Sequence, residues 1–556
     1  MLSYSPTNPL IVQGDHTILL EVQNPHFTAA RDAIAPFAEL EKSPEYFHTY
    51  RLTPLSLWSA AAAGISATEM LASLQKYAKF AVPQNVAADI RELAGRWGRL
   101  KLVTQGDELR LLADDRALLI ELARRPEIGK LLDGPRGPAA FALSLRNRGL
   151  LKQALVGAGW PAEDLAGYVE GKTFALSLVE RDDFVLRDYQ LEAAEAFYAG
   201  GDASGGSGVV VLPPGAGKTV VGMTAMAMVG QSTLILTANN TSVNQWRREL
   251  LDKTDLDERD VAEYTGETKG IAPITISTYQ MLTYRPGANG EFPHLKLLNE
   301  REWGLIVYDE VHLLPAPIFR ATAEIQARRR LGLTATLVRE DKREGDVFAL
   351  IGPKKYDVPW RDLERRGWIA AAQCTEIRVN LPEEERMAYA IAEPRDGYRI
   401  AAENPRKLPL VRSIMRFHRD APTLIIGQYI EQLQYIADNL AAPLIIGRTP
   451  QRERERLFDA FRNGAERVLV ISKVGNFALD LPDAELMIQV SGTFGSRQEE
   501  AQRLGRVLRP KPDGRPAHFY TIVTRDTREL DFAHNRQLFL AEQGYSFRVL
   551  DASEVL

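Results

Sequence analysis

Cysteine is nearly missing from this sequence, since Cys374 is the one cysteine among 556 residues. A single thiol excludes an intramolecular disulfide and a cysteine-rich zinc site, which fits a reducing compartment. The chain also lacks a run of 18 apolar residues, and its start, MLSYSPTNPLIVQ, lacks the basic residues and apolar core of a leader. These absences predict a soluble cytoplasmic protein with no membrane partner.

The chain also lacks an excess of charge of either sign. Its 68 basic and 73 acidic residues leave a formal net charge of −5, so no global attraction draws it to nucleic acid. Any site for a polyanion must be a local patch. His16, His26 and His48 lie far apart and lack the spacing of metal ligands. Length and ordinary apolar content predict about three or four globular domains.

The most informative stretch is residues 209–219, VVVLPPGAGKT. Its β-branched start is typical of a buried parallel strand, and two prolines end that strand before a glycine-rich turn. A helix-like segment follows, so backbone amides and the helix dipole would face a phosphate. Lys218 would reach the β and γ oxygens of ATP, and the Thr219 hydroxyl would coordinate Mg²⁺. The predicted nucleotide-binding residues of this loop are Gly215, Ala216, Gly217, Lys218 and Thr219.

The loop departs from the general phosphate-loop pattern, because Leu212 stands where that pattern has its first glycine. A plain glycine turn with an exposed lysine is the alternative interpretation. Just upstream, Arg187 and Gln190 belong to the segment RDYQ, and the Gln190 amide could pair with both the donor and the acceptor on adenine's edge. Alone, this segment is typical only of a helix start.

Apolar strand candidates follow the loop at the spacing of an α/β fold, at 233–238, 274–278, 304–310 and 330–336. Helical segments alternate with them, which favours a doubly wound parallel sheet with its function at the carboxyl ends of the strands. Those ends carry polar side chains where a buried strand would be apolar. The candidates there for coupling or nucleic-acid contact are Thr237, Thr278, Thr334 and Thr336.

A carboxylate pair, Asp309 and Glu310, ends the strand candidate at 304–310. Asp309 could hold Mg²⁺ through a water, and Glu310 could orient and deprotonate an attacking water. An Asp-Glu pair is common on protein surfaces, but the phosphate loop in the same chain favours a catalytic role for this pair. His312 is not part of an HExxH zinc pattern, so a coupling hydrogen bond is its favoured role.

A second set of strand candidates begins after about residue 371, without a phosphate loop of its own. Its informative segment is 495–510, GSRQEEAQRLGRVLRP, where helical spacing puts Gln502, Arg506 and Arg509 on one face. Two arginines presented together suit the charge that develops on a γ-phosphate during transfer. A solvated basic helix would show the same pattern. Two such halves in one chain leave a cleft that ATP could open and close.

Seven segments together resemble the motifs of superfamily 2 DNA helicases, and more closely the XPB family in its bacterial form: LRDYQ, LPPGAGKT, ISTYQM, YDEVHLLPAP, RLGLTATLVRED, SKVGNFALDLP and SGTFGSRQEEAQRLGRVLRP. The similarity continues upstream through PLIVQ, AIAPFAELEKSPE and TYRLTPLSLW, and so covers nearly the whole chain. It implies an α/β fold with two RecA-like parallel-sheet domains in tandem after smaller α+β domains. The implied domains are an N-terminal XPB-type domain at 1–100, a small α+β, damage-recognition-like module at 101–176, a RecA-like ATP-binding domain at 177–370 and a RecA-like C-terminal helicase domain at 371–556.

The resemblance also implies roles for single residues. Lys218 and Thr219 would bind ATP and Mg²⁺, the pair at 309 and 310 would hydrolyse ATP, and Arg506 and Arg509 would be arginine fingers. Gln502 and His312 would link the two lobes. Further positions match residues that couple hydrolysis to motion (Thr334 and Thr336), line the cleft from the second lobe (Gly475 and Asp480) or open the duplex (Arg339, Glu340 and Asp341).

A thumb-like insertion is expected near 387–407, where Tyr389 and Tyr398 alternate with cations. Aromatic rings suit stacking on bases and cations suit phosphates, although a short solvated helix pair would look the same. The cations of this segment are Arg395, Arg399, Arg406 and Lys407, of which the first two are the predicted DNA contacts.

These observations predict an ATP-dependent DNA helicase or translocase, moving 3′ to 5′ by resemblance and acting in DNA repair. Its cofactors would be ATP and Mg²⁺, and its partners single-stranded DNA and forked duplex. Two alternatives stay open. One is an ATP-gated scaffold that binds or anneals strands without unwinding them. The other is the motor subunit of a complex in which a nuclease partner cuts, since the chain shows no nuclease carboxylate cluster of its own.

Overall fold

The structure is a computed structural model of the 556-residue chain. It describes all residues except 1–3, 43–45, 145–146, 167–170, 182–183, 202–204, 285–292, 295–300, 315–326, 336–343, 359, 473–483, 493–515 and 543–546. The chain divides into two compact units. The first comprises residues 1–212 and 217–357, and the second comprises residues 358–556 with the four residues 213–216.

The first unit begins with an antiparallel sheet of four strands in the order β1-β2-β4-β3. Helices α2 and α3 both pack on α4. Two of these helices begin with capping boxes, at Thr53 and at Ser66, which satisfy backbone donors of their first turns. The elements are β1 (Leu10–Val12), β2 (Thr17–Glu21), α1 (Phe27–Ile34), β3 (Glu39–Lys42), β4 (Phe47–Arg51), α2 (Pro54–Ala62), α3 (Ala67–Tyr77) and α4 (Gln84–Ala94).

A second small sheet follows, with five strands in the order β7-β8-β6-β5-β9. Its strands pair antiparallel except for β5 with β9. Leucines such as Leu102, Leu111 and Leu151 form its core. The elements are β5 (Leu100–Gln105), β6 (Glu108–Ala113), α5 (Arg116–Arg124), α6 (Pro126–Gly129), β7 (Gly134–Pro135), β8 (Ala140–Leu143), α7 (Arg148–Gly157) and β9 (Ala162–Asp164).

A parallel sheet of seven strands completes the first unit, in the order β12-β13-β11-β14-β15-β10-β16. Strands β11 and β13 are buried at every residue, as expected for a sheet covered on both faces. The elements are α8 (Asp188–Tyr198), β10 (Ser207–Val211), α9 (Lys218–Val229), β11 (Thr233–Thr237), α10 (Asn240–Lys253), β12 (Val261–Tyr264), β13 (Ile274–Thr278), α11 (Tyr279–Thr283), β14 (Trp303–Asp309), β15 (Ala327–Thr334), α12 (Glu344–Leu350) and β16 (Lys354–Asp357).

Helix α12 joins the small N-terminal sheets to this parallel sheet. The ring of Phe348 lies 5.6 Å from that of Trp97 and 6.3 Å from that of Trp58. On the same helix, the Asp346 carboxylate accepts a hydrogen bond of 3.1 Å from the Gln153 amide of α7. The N-terminal sheets and the parallel sheet therefore pack together as one unit through side chains of three separate segments.

The second unit contains another parallel sheet of seven strands, in the order β19-β20-β18-β21-β22-β17-β23. Three consecutive helices, α14 to α16, lie in the chain between β17 and β18. The elements are α13 (Trp360–Arg365), β17 (Ala372–Val379), α14 (Glu383–Ile391), α15 (Pro394–Ala402), α16 (Lys407–Phe417), β18 (Thr423–Gly427), α17 (Ile430–Leu440), β19 (Leu444–Ile445), α18 (Gln451–Arg462), β20 (Val468–Ser472), β21 (Leu486–Gln489), β22 (Ala517–Thr524), α19 (Arg528–Glu542) and β23 (Phe547–Asp551).

The predicted α/β fold is confirmed: two RecA-like parallel sheets follow smaller α+β sheets. The predicted domain boundaries remain a prediction. Among the described helices, none is both long enough and apolar enough to cross a membrane.

A buried cluster of charged side chains lies at the edge strand β9 of the second small sheet. The carboxylate of Asp164, at the end of β9, accepts hydrogen bonds from Arg148 Nε and Lys152 Nζ, each at 3.0 Å. The Arg148 side chain is only 2% exposed. Burial alone would raise the pKa of Asp164, but the charges of Arg148 and Lys152 hold that pKa well below its usual range. Removing one member of such a cluster leaves buried charge uncompensated.

We therefore predict that Asp164→Asn lowers the free energy of opening of the five-stranded sheet by about 3–5 kcal/mol, because two buried cations lose their counter-charge. Hydrogen exchange of the intact chain measures this locally: amides of β5 and α7 should exchange at least about 100-fold faster. The matched control is Asp114→Asn, since Asp114 is 58% exposed in its ion pair with Arg99 and should contribute no more than about 1 kcal/mol. Equal exchange in the two variants would contradict the prediction.

Candidate active site

The loop between β10 and α9 has the backbone that a phosphate site requires. Gly215 and Gly217 both adopt left-handed conformations, with φ of 81° and 79°. Glycine takes these angles without strain. A Cβ atom added at Gly217 would lie 2.4 Å from Gln190 Nε2, so a side chain at this position would collide with the neighbouring amide. The loop leads into the N-terminus of α9, where unpaired N–H groups can bind an anion.

Sheet register brings the ends of three strands to the loop. Val211 of β10 pairs with Thr334 of β15, and Leu333 of β15 pairs with Asp309 of β14. The backbone N–H of Leu212 donates to the Thr334 carbonyl at 3.0 Å. Val211 and Thr334, which are 123 positions apart in sequence (334 − 211), therefore meet at one edge of the sheet.

Lys218 and Glu310 form the central contact at this edge. Lys218 Nζ lies 3.3 Å from Glu310 Oε1, and both side chains are largely buried, with 12% and 22% exposed. Glu310 itself has a left-handed backbone with φ of 51°, which is uncommon for a residue with a Cβ atom. Such conformations cost about 1–3 kcal/mol and concentrate at functional sites. The structure thus holds a cation and a carboxylate together in a strained, partly enclosed place.

Asp309 is held in position by two aromatic residues. Trp246 Nε1 donates to Asp309 Oδ2 at 3.0 Å, and the Tyr279 hydroxyl donates to the Asp309 backbone carbonyl at 2.7 Å. Burial, with the adjacent Glu310 charge, raises the pKa of Asp309 to about 6. Two crowded carboxylates in a site of this kind favour a bound cation, which would offset their repulsion.

His312 connects the carboxylate pair to the end of β15. Its Nδ1 atom lies 2.7 Å from Thr334 Oγ1 and 3.4 Å from Glu310 Oε2. The His312 and Thr334 side chains are both buried. The sequence predicts a coupling hydrogen bond for His312, and the structure shows its contacts with Thr334 and Glu310. The roles of His312 and Thr334 in coupling stay predictions.

Trp246 is a residue of the candidate site that the sequence did not predict. It lies on α10, is 1% exposed and reaches across to α9, where a Cβ atom added at Gly222 would lie 2.5 Å from Trp246 Cη2. Gly222 therefore makes room for the indole that donates to Asp309. A glycine inside an otherwise apolar helix is the one signal in the sequence that indicates such a close approach.

Gln190 lies beside the loop and is 3% exposed. Its Oε1 atom accepts from the Arg187 backbone N–H at 3.1 Å, and Arg187 Nη1 lies 3.1 Å from the Tyr189 hydroxyl. The side-chain amide thus caps the first turn of α8 while its nitrogen faces Gly217. The predicted role of Arg187 and Gln190 in binding the nucleotide stays a prediction.

The remaining predicted threonines differ in burial. Thr219 is half-buried on the first turn of α9. Thr237 is fully buried, and its hydroxyl donates to the Asn239 carbonyl at 3.1 Å. Thr278 is 5% exposed at the start of α11. Thr219 is therefore the threonine of this group best placed to offer a hydroxyl to a ligand.

Two residues of the thumb-like segment at 387–407 do not fit the stacking and phosphate-binding roles that the sequence suggests for its rings and cations. Arg395 and Arg399 are exposed, as DNA contacts would be, and Arg399 forms ion pairs with Glu403, at 3.0 Å, and with Glu431. Tyr398, however, is 1% exposed and cannot stack on a base. Lys407 is also 1% exposed, so it cannot pair with a phosphate. Long-range packing, which the local pattern does not show, decides both cases.

Nine of the predicted site residues lie outside the described residues: Thr336, Arg339, Glu340, Asp341, Gly475, Asp480, Gln502, Arg506 and Arg509.

The described residues fit a nucleotide with its magnesium ion. Their positive-φ glycines, the lysine at the start of α9 and the crowded carboxylates are the groups that bind a triphosphate and a hard cation. The described part of the chain contains no group of three or more His, Cys, Asp or Glu side chains that could hold a metal alone. Thr219 and Asp309 are therefore the candidate ligands, with phosphate oxygens and water completing the shell.

Three family models match the chain. The ERCC3/RAD25/XPB C-terminal helicase model matches residues 363–555. A helicase conserved C-terminal domain model matches residues 10–133. A model described as the res subunit of type III restriction enzymes matches residues 183–339, which contain the phosphate loop and the carboxylate pair.

Known relatives match over nearly the full length. A protein of Kineococcus radiotolerans named DNA 3′-5′ helicase XPB is 55% identical, over 98% of this chain and 97% of that protein. A Mycobacterium tuberculosis protein of the same name is 54% identical, over 99% and 98%. An Antonospora locustae protein is named as the XPB helicase/translocase subunit of general transcription and DNA repair factor IIH. It is 34% identical over 98% of this chain and 82% of that protein. The chain therefore belongs to the XPB family of superfamily 2 DNA helicases.

Proposed function

We propose that this chain is an ATP-dependent DNA helicase, a motor that couples ATP hydrolysis to 3′-to-5′ movement on DNA and to strand separation. The observation that carries this proposal is the 3.3 Å contact between Lys218 Nζ and Glu310 Oε1, which sets a phosphate-binding cation beside a candidate general base. Relatives with 54–55% identity are named for this activity.

Each side chain of the site has a separate task in hydrolysis. The N–H groups at the start of α9 and the Lys218 ammonium bind the phosphates of ATP. The Thr219 hydroxyl and the Asp309 carboxylate would hold Mg²⁺, which would supply neutralisation of the phosphate charge. The Trp246 indole N–H keeps the Asp309 carboxylate oriented.

Glu310 is the proposed general base. Its carboxylate orients a water for attack on the γ-phosphorus and accepts that water's proton. The same carboxylate pairs with Lys218, with 3.3 Å between Nζ and Oε1. A phosphate that draws the Lys218 ammonium away would release Glu310 for this task. Arg506 and Arg509 would stabilise the charge that develops on the transferred group.

His312 and Thr334 form the proposed route from hydrolysis to motion. The hydrogen bond between them links the 3₁₀ turn that follows β14 to the end of β15. Thr334 lies two residues before Thr336 and five residues before the triplet Arg339-Glu340-Asp341. The family resemblance connects that triplet with duplex opening. A change at Glu310 can therefore reach that segment through two buried side chains.

The partners and location are also proposals. The DNA would be single-stranded or forked duplex, and the pathway DNA repair, since an A. locustae relative is named as a repair-factor subunit. The names of the three relatives above mention no nuclease, so a nuclease partner has no support. The cytoplasm is the proposed location, on the basis of the single, buried Cys374.

We predict that the wild-type protein, with ATP and Mg²⁺, separates a duplex with a 3′ single-stranded overhang and leaves one with a 5′ overhang paired. Glu310→Gln should bind ATP but unwind about 10²- to 10⁴-fold more slowly, because an amide cannot accept the water's proton. The control is Glu121→Gln, whose carboxylate is 65% exposed on α5. Strand release is measured with a fluorophore and quencher on the two strands.

The same assay separates the alternatives. Hydrolysis that DNA stimulates without strand release would favour the scaffold that binds or anneals DNA. Unwinding of the 5′-tailed duplex alone would contradict the proposed direction.

We further predict that Trp246→Phe raises the Mg²⁺ concentration for half-maximal ATP hydrolysis by about 10-fold or more. Phenylalanine keeps an aromatic ring against Gly222 but loses the N–H donor that orients Asp309. The matched control is Trp58→Phe, which removes an indole N–H bond of 3.1 Å to the Leu93 carbonyl, away from the site. An unchanged Mg²⁺ requirement in Trp246→Phe would show that the indole does not orient the metal ligand.

A further inference from the structure

Three aromatic rings lie together where strands β12 and β13 of the first unit end. Tyr264 is the last residue of β12, and Tyr284 follows α11, the short helix that begins directly after β13. The ring of His294 lies 5.6 Å from that of Tyr264 and 5.5 Å from that of Tyr284. Because β12 and β13 run parallel to β14, this ring cluster occupies the same edge of the sheet as Asp309.

The ring cluster is fixed from the protein side and open on the other. Tyr264 is 3% exposed, and its hydroxyl lies 2.8 Å from His294 Nδ1. The His294 ring meets the Tyr264 ring edge-on, at 70°. Tyr284, on the outer side, is 54% exposed and tilted by 43° against His294. The outermost ring is therefore presented to solvent and supported by two others.

A lysine lies beside these rings. The Lys269 side chain is exposed, and its Nζ atom lies 5.0 Å from the centroid of the Tyr264 ring. The ammonium also donates to the Thr265 carbonyl and lies 3.9 Å from Met281 Sδ. The Thr265 N–H donates to the Thr268 carbonyl at 2.7 Å, which closes the turn that leads to Lys269. Since an ammonium has three donors, these contacts leave one for a phosphate oxygen.

His294 contributes a ring to this place and not a second charge. Burial and the charge of Lys269 lower the pKa of His294, so its imidazole is mainly neutral at pH 7. The cluster thus combines aromatic faces with one cation. Proteins bind single-stranded nucleic acid with this combination, because the rings stack on bases and the cation binds the backbone.

We propose that Tyr284, supported by His294, stacks on one base of single-stranded DNA and that Lys269 binds a neighbouring phosphate. Bases of a duplex are already stacked on each other and paired, so the ring would hold an unpaired strand in preference. Every base has a π-face, so this contact would hold the strand without reading its sequence. The chain's formal net charge of −5 offers no general attraction to DNA, so stacking would contribute where charge does not.

This inference deepens the proposed function and rests on it, because DNA is the polymer on which the proposed motor acts. Binding can nevertheless be measured without ATP, so the two are tested separately. The readout is the fluorescence anisotropy of a labelled single-stranded oligonucleotide of mixed sequence, titrated with the full chain.

The first variant is Tyr284→Leu, which keeps an apolar side chain and removes the ring. We expect its Kd for the oligonucleotide to rise about 5- to 100-fold, the range that loss of one base–aromatic stack gives. Tyr284→Phe keeps the ring and should bind within about twofold of the wild type. On a strand of the same length made only of abasic sites, the wild type and Tyr284→Leu should bind equally, since no base is left to stack.

The phosphate contact has a separate signature in the salt dependence of binding. Lys269→Gln should make the slope of log Kd against log salt concentration shallower by about 0.7, because one phosphate contact to a single strand is lost. Tyr284→Leu should leave that slope unchanged, since stacking releases no counterion. An unchanged slope in Lys269→Gln would overturn the assignment of Lys269.

The matched control is Tyr435→Leu, since Tyr435 is 52% exposed on α17 of the second unit. It should bind the oligonucleotide as the wild type does. Wild-type affinity in Tyr284→Leu, an equal loss in Tyr435→Leu, or the same loss on the abasic strand would each overturn the inference. A wild-type protein that binds the strand through Tyr284 but whose ATP hydrolysis ignores DNA would refute the proposed function and leave the stacking site standing.

Discussion

The active site depends on the parallel register of β10, β15 and β14. This register sets the ends of three buried strands side by side, and the contact between Lys218 and Glu310 follows from it. Apolar strands supply the rigidity, because a sheet covered on both faces cannot shift its strands without exposing its core. The polar side chains at the strand ends can then be held within hydrogen-bond distance and in strained conformations, as Glu310 is.

The second unit uses the same principle with different groups. At its described strand ends, the Lys407–Glu529 pair and the Tyr398 hydroxyl are buried. Buried polar groups of this kind have directional partners, which apolar packing does not. In both units, buried polar contacts at the strand ends therefore fix the residues that follow the strands.

The sequence predicted the parallel sheets and the nucleotide loop because their signals are local. Strands predicted at 233–238 and 274–278, for example, are found at Thr233–Thr237 and Ile274–Thr278. The edge strand Lys354–Asp357 was not predicted, since KKYD lacks the apolar run of a central strand. Trp246, Tyr398 and Lys407 could not be assigned either, because their partners Asp309, Gly492 and Glu529 lie 63 to 122 residues away.

If Lys218, Asp309 and Glu310 form a site for ATP hydrolysis that serves work on DNA, steady-state hydrolysis must respond both to DNA and to the loss of Glu310. The rate should be measured for the wild type and for Glu310→Gln, each alone and with single-stranded DNA or RNA. We expect DNA to stimulate the wild type, RNA to leave it unchanged, and Glu310→Gln to be at least about 10²-fold slower under every condition. Wild-type hydrolysis by Glu310→Gln, or hydrolysis indifferent to DNA, would contradict this expectation.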